Sequence, residues 1–151
     1  TMRSVSLEAI SYADILKISD EELLFLTQEH DLSSGINKLT NNYKNIKICA
    51  ITCGAKGCFL WHGKNLIHLP TYDTSIVDTT GAGDSFFGAF LHKLLSYSDF
   101  PWELDAETLF NCVRYANAAG ALTASGKGAI ASMPDNSEIE FCMASTPILY
   151  V

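Results

Sequence analysis

Apolar and polar positions along this chain change period repeatedly, from that of a strand to that of a helix and back. Ala13-Asp14-Ile15-Leu16-Lys17 predicts a short strand, and Ser19-Asp20-Glu21-Glu22 ahead of Leu23-Leu24-Phe25-Leu26 has the spacing of a capping box opening a helix. A second helix is predicted over 34–43. Ile46-Lys47-Ile48-Cys49-Ala50-Ile51-Thr52 is then β-rich and almost continuously apolar, as a strand buried on both faces is. After a turn over 54–57, residues 58–62 and 66–69 flank Gly63-Lys64-Asn65, a hairpin signal, and Pro70 closes the second strand. Ile76-Val77 enters Asp78-Thr79-Thr80-Gly81-Ala82-Gly83-Asp84, after which Phe86, Phe87, Ala89, Phe90, Leu94 and Leu95 recur at helical spacing. The longest helical pattern runs over about 106–125, with Leu109, Cys112, Val113, Ala116, Gly120 and Leu122 on its apolar side. Its small residues, Ala116 to Ala121, predict close packing. Gly126-Lys127-Gly128 ends that helix, 129–133 reads as extended, and 137–144 as a final short helix. Strands alternating with helices predict an α/β layered fold with a mainly parallel sheet.

The length, 151 residues, fits one domain with one core. No apolar run approaches the ~18 residues of a membrane span. Seventeen acidic against ten basic side chains, a net charge of -7, argue against a surface for nucleic acid or for an anionic membrane. The five cysteines, Cys49, Cys53, Cys58, Cys112 and Cys142, are odd in number, lie mostly in apolar runs and form no C-x-x-C pair. Buried reduced thiols and a cytoplasmic location are therefore expected. Thr1-Met2-Arg3-Ser4 lacks the apolar core of a signal peptide, and threonine before methionine points to a chain that is not a complete gene product.

The candidate chemistry lies at 78–84. Gly81, Ala82, Gly83 and Asp84 offer consecutive backbone N–H groups at the start of a helix, unshielded by large side chains, where orphan donors and the dipole attract anions. Asp84 stands where a carboxylate could orient and deprotonate a nucleophile beside that anion, an arrangement suited to phosphoryl transfer. A strand-to-helix turn capped by Asp84, with Asp78 satisfying the loop, accounts for the spacing equally well. The spacing is neither G-x-x-x-x-G-K-[ST] nor G-x-G-x-x-G, which removes a Walker A loop and the dinucleotide fingerprint. His30, His62, His68 and His92 have no ligand spacing, Trp61 and Trp102 read as packing residues, and the first three cysteines fit strand packing better than metal binding.

The run from Asp78 to Phe90, Asp-Thr-Thr-Gly-Ala-Gly-Asp-Ser-Phe-Phe-Gly-Ala-Phe, resembles the second signature of the ribokinase/PfkB carbohydrate kinase family. Further blocks follow the family's order: 14–23 upstream, Thr52-Cys53-Gly54-Ala55-Lys56-Gly57, Ala116-Asn117-Ala118-Ala119-Gly120-Ala121, and Gly126 to Pro134. Lys17 to Glu22 and Gly128 to Pro134 look most like the bacterial fructokinase branch. The resemblance implies a ribokinase-like, Rossmann-like layered sheet with flanking helices, of which 1–151 is the C-terminal, nucleotide-binding half. It makes Asp84 the base for a sugar hydroxyl, the amides from Gly81 to Asp84 the anion hole for the γ-phosphoryl group of ATP, and Thr52, Gly54, Gly57 and Asn117 the nucleotide site, with a polar residue on a helix face as the plainer alternative for Asn117. Ser19 and Glu22 align with an N-x-x-E motif linked to Mg2+, here with serine for asparagine; a plain capping box explains them as well. Asp78, Thr80, Thr123, Gly126, Gly128 and Ser132 match a monovalent-cation site, where K+ is held largely by carbonyls. Gly126 and Gly128 ending a helix is the simpler alternative.

The family's N-terminal half, with most sugar contacts and the lid, has no counterpart here. The parent is expected to phosphorylate a sugar, with fructose ahead of ribose, 2-keto-3-deoxygluconate or a nucleoside, and this chain alone to be inactive. A sheet cut after half its strands exposes an edge, so self-association or docking with the missing half is expected. A non-catalytic nucleotide-binding module is the rival reading.

Overall fold

The strand predicted at 13–17 lies two residues later, as β1 (Ile15–Ser19), and runs parallel to β2 (Ile48–Thr52), with Ile15 opposite Ile48 and Ser19 opposite Thr52. The shift has a local cause: Asp14 O accepts from Lys47 N and Ile48 N as the ladder begins, while Ser19 is extended (φ -79°, ψ 161°), serving as both last strand residue and helix cap. This computed structural model describes residues 1–151. β3 (Cys58–His62) and β4 (Asn65–Leu69) complete a four-stranded sheet in the order β1-β2-β3-β4. Gly63 and Lys64 join them with φ of +54° and +82°, the primed-turn backbone that matches hairpin twist. A two-residue turn joins only antiparallel neighbours, so the sheet is mixed and the expected parallel character holds for β1 and β2.

The chain divides into two compact units, Thr1–Cys53 with Phe59–His68, and Gly54–Cys58 with Leu69–Val151. In the first, α1 (Met2–Ile10), α2 (Asp20–Thr27) and α3 (Leu32–Asn42) share with β1 and β2 a core that includes Ile18, Leu23, Leu26, Ile36, Leu39 and Ile51. Trp61 packs against it, as expected of a packing residue. α1 escaped the sequence reading because only Ile10 of its residues is fully buried and serines interrupt its apolar positions; its signal is the Thr1–Ser4 capping box.

The second unit is built on α4 (Ala82–Tyr97), α5 (Ala106–Ser125) and α6 (Asn136–Ser145). α5 buries Ala116, Asn117, Ala118, Ala119 and Ala121, and Gly120 explains how near α4 comes: a Cβ there would stand 3.2 Å from Ala82 O. Tyr72, Tyr115, Ala118, Ile139 and Cys142 form a core beneath α6. The chain end is tied down by a Tyr72–Ile148 bridge and by Asp73 N donating to Pro147 O at 2.8 Å. Residues 129–133 are not extended: Ile130–Ser132 is a 3₁₀ turn, entered from Gly128 at φ +82° and closed by Ser132 N donating to Ala129 O. Glycine permits the positive φ that bends the chain there.

Candidate active site

α4 begins without a side-chain cap. Its N-cap is Gly81 at φ +79°, ψ -4°, a left-handed conformation, and a Cβ there would lie 2.6 Å from the Cβ of Ala129. Both the backbone angle and the contact require glycine. Of the predicted donors, Ala82 N–H is spent on Thr79 O at 3.2 Å, and Ser85 N closes the first helical bond to Gly81 O at 2.8 Å. Gly81, Gly83 and Asp84 N–H donate to no backbone carbonyl or side chain, as the open first turn of an uncapped helix leaves them. The Asp84 carboxylate is exposed in the same turn. The expected four donors thus become three, with Ala82 closing the turn.

Asp78 ties this turn to the end of α5. Its Oδ1 accepts from Thr80 N at 3.0 Å and its Oδ2 from Gly128 N at 3.2 Å. Hydrogen bonding from Thr80, side chain and backbone, and then from Gly128 holds the Asp78 carboxyl below the usual carboxylate range. Val77 N and Asp78 N both donate to Ala124 O, at 2.8 and 3.1 Å.

α5 also carries the buried polar contacts. Thr123 Oγ1 donates to Ser85 Oγ at 2.7 Å and lies 2.9 Å from Ala119 O, to which Ser85 Oγ donates at 3.3 Å. Thr123 is fully buried, so its hydroxyl is committed to the joint between α4 and α5; its carbonyl accepts from Gly126 N at 3.2 Å. Ser132 Oγ donates to Lys127 O at 3.0 Å, and its Cβ would stand 2.7 Å from a Cβ on Gly126. Asp78, Thr80, Thr123, Gly126, Gly128 and Ser132 therefore gather around one bend, with the side chains of Asp78, Thr80, Thr123 and Ser132 engaged within the protein.

Asn117 faces inward. It is 4% exposed, and its Nδ2 donates to Leu69 O at 3.2 Å and Pro70 O at 3.0 Å, pinning the end of β4. Gly57 packs against the same stretch, where a Cβ would stand 2.8 Å from Thr71 N, and its φ is +87°. Gly54, at φ +54°, has open space around its Cα. Thr52 ends β2 in the other unit.

Glu22, also in that unit, acts as a cap. Its Oε2 accepts from Ser19 N at 2.8 Å while Glu22 N donates to Ser19 Oγ at 3.1 Å, and the Ser19 backbone bond lowers its pKa. No group of three His, Cys, Asp or Glu side chains is placed to hold a metal ion. All five cysteines are free and buried.

The model of the pfkB family of carbohydrate kinases matches residues 1–136. The chain belongs to that family. A pfkB relative named as probable fructokinase-4 of Arabidopsis thaliana is 39% identical over 128 residues, 85% of this chain and 38% of the relative. The solved fructokinase of Vibrio cholerae O395, in its fructose, ADP and calcium ion bound form, superposes with a TM-score of 0.85 at 29% identity, over 94% of this chain and 44% of that one. A putative ribokinase II from E. coli in complex with ATP and Mg2+ gives a TM-score of 0.80 at 26% identity, over 95% and 43%. The fold is therefore ribokinase-like, and the chain spans less than half the length of these pfkB relatives. No helix is long and apolar enough to cross a membrane.

Proposed function

We propose that this chain is the nucleotide-binding and catalytic half of an ATP-dependent sugar kinase, with fructose as the first acceptor to test. The observation that carries this reading is the start of α4, where unengaged N–H groups of Gly83 and Asp84 and the unengaged Asp84 carboxylate occupy one turn. Asp84 takes the proton of the attacking sugar hydroxyl; that oxygen bonds to the γ-phosphorus as the bond to the β-bridging oxygen breaks, and ADP leaves. The N–H groups and the helix dipole stabilise charge on the transferring group. Glycines 54 and 57 shape the nucleotide loop, and Asn117 acts on it indirectly, by fixing Leu69 and Pro70.

Mg2+ would enter with the nucleotide phosphates, since the chain has no protein cage for it and Glu22 has one oxygen committed to its cap. It would neutralise phosphate charge. A monovalent cation such as K+ suits the oxygen-only set at Asp78, Thr80, Thr123, Gly126, Gly128 and Ser132, through carbonyls, and would add positive charge beside the anion site.

The test is Asp84→Asn in the full-length protein, assayed against a panel of hexoses, pentoses and nucleosides with MgATP. The expected result is a fall in kcat of about 10²- to 10⁴-fold, with KM for ATP changed less than about threefold. ATP binding without transfer to any acceptor would favour a non-catalytic nucleotide module.

A further inference from the structure

The geometry points to Ser85 and Thr123 as a buried positioning pair that sets the aim of the catalytic turn. This inference rests on the kinase reading and extends it from the groups that touch substrate to those that hold them. Ser85 directly follows Asp84, little more than a quarter-turn round the same helix, which leaves Asp84 exposed and Ser85 buried. A helix turned about its own axis moves all the residues of a turn together, so whatever fixes Ser85 also fixes Asp84 and the N–H groups of its turn.

What fixes Ser85 is a closed set of three oxygens. Thr123 Oγ1 donates to Ser85 Oγ, which donates to Ala119 O, and the Thr123 hydroxyl lies within 2.9 Å of the same carbonyl. The site is dry, with Thr123 at 0% and Ser85 at 8% exposure. In such surroundings an unmade hydrogen bond is not replaced by water, so the pair resists rotation of α4 against α5. Beside it, Gly120 lets α5 approach the carbonyl of Ala82, so the first turn of α4 is gripped on either side of the Ser85 bond. Removing either hydroxyl leaves the apolar packing of Phe86 and Phe90 but frees the turn to roll. Such freedom would harm transition-state alignment more than ATP binding.

The experiment is a double-mutant cycle in the full-length protein with Ser85→Ala, Thr123→Val and both, beside Thr123→Ser and Asp84→Asn. Each variant is assayed with MgATP and the best acceptor of the panel, and its Tm is recorded. The inference expects Ser85→Ala and Thr123→Val each to lower kcat about 10- to 100-fold with KM for ATP within twofold, since a small misplacement costs about that much. The double variant should be no worse than about threefold below the poorer single one, and Thr123→Ser should retain at least about a third of wild-type kcat, as expected of groups that act as a unit. Losses below threefold in both single variants, or losses that multiply in the double, would overturn it. A Thr123→Val protein that does not fold leaves Ser85→Ala to decide by the same criterion. If Asp84→Asn abolishes turnover while Ser85→Ala does not, the positioning role fails and the kinase reading stands; if Asp84→Asn turns over normally, both fail.

Discussion

Gly81 is the residue on which the turn opening α4 depends most. Its φ of +79° and the 2.6 Å that would separate a new Cβ from that of Ala129 leave Gly81→Ala no relaxed conformation. The expected cost is about 1–3 kcal/mol, read as a shift in the urea midpoint, together with loss of the proposed phosphoryl transfer in the full-length protein. Asp78 gives a pH signature. Its folded pKa is depressed by Thr80 and Gly128, so its contribution is complete above the unfolded carboxylate value of about 3.9 and is lost as pH falls through the lower folded value. Asp78→Asn should therefore be less stable than wild type near neutrality, and the deficit should shrink as pH drops below about 4, which denaturation at a series of pH values would reveal. The glycine turn that opens α4 was readable from sequence because Gly81, Gly83 and Asp84 declare themselves by type and spacing. The spending of Ala82 N–H on Thr79, and the inward turn of Asn117, were not, because both follow from where neighbouring backbone comes to rest.

At the scale of elements, the contact between α4 and α5 is set by small residues, and two glycines separate its requirements. At Gly120 a Cβ would meet Ala82 O at 3.2 Å, whereas at Gly88, also within a helix, nothing lies within 4 Å. Gly120→Val is expected to destabilise by about 1–3 kcal/mol through overpacking, and Gly88→Ala to stabilise by about 0.5–1 kcal/mol through helix propensity, both measured by chemical denaturation. Opposite signs from the same residue type would locate the close approach. Elements with strong periodicity or a capping box, such as α2, β2 and α5, were legible in the sequence. Residues 129–133 misled because their apolar content resembles a strand, while the positive φ of Gly128 and the Ser132–Lys127 bond wind them into a turn. Such a bond joins residues that propensity treats as independent.

Across the molecule, the five thiols offer a test of integrity. All are buried, and burial pushes the Cys49 thiol up to about 12 and the Cys112 thiol up to about 11. Thiolate reagents should leave these positions unmodified in the native full-length protein and label them once denaturant is added, with mass spectrometry mapping each site. Rapid native labelling at any of the five would contradict the packing. A broader property follows from how the second unit hangs together. Ala124 holds Val77 and Asp78, Thr123 holds Ser85, and Asn117 holds Leu69 and Pro70, all from one helix. These segments of the second unit thus form a single cassette carried by α5. Its small fluctuations move them in concert and preserve their spacing, while an opening that peels α5 away dismantles them together, with the Val77 and Asp78 amides becoming open to deuterium in the same event.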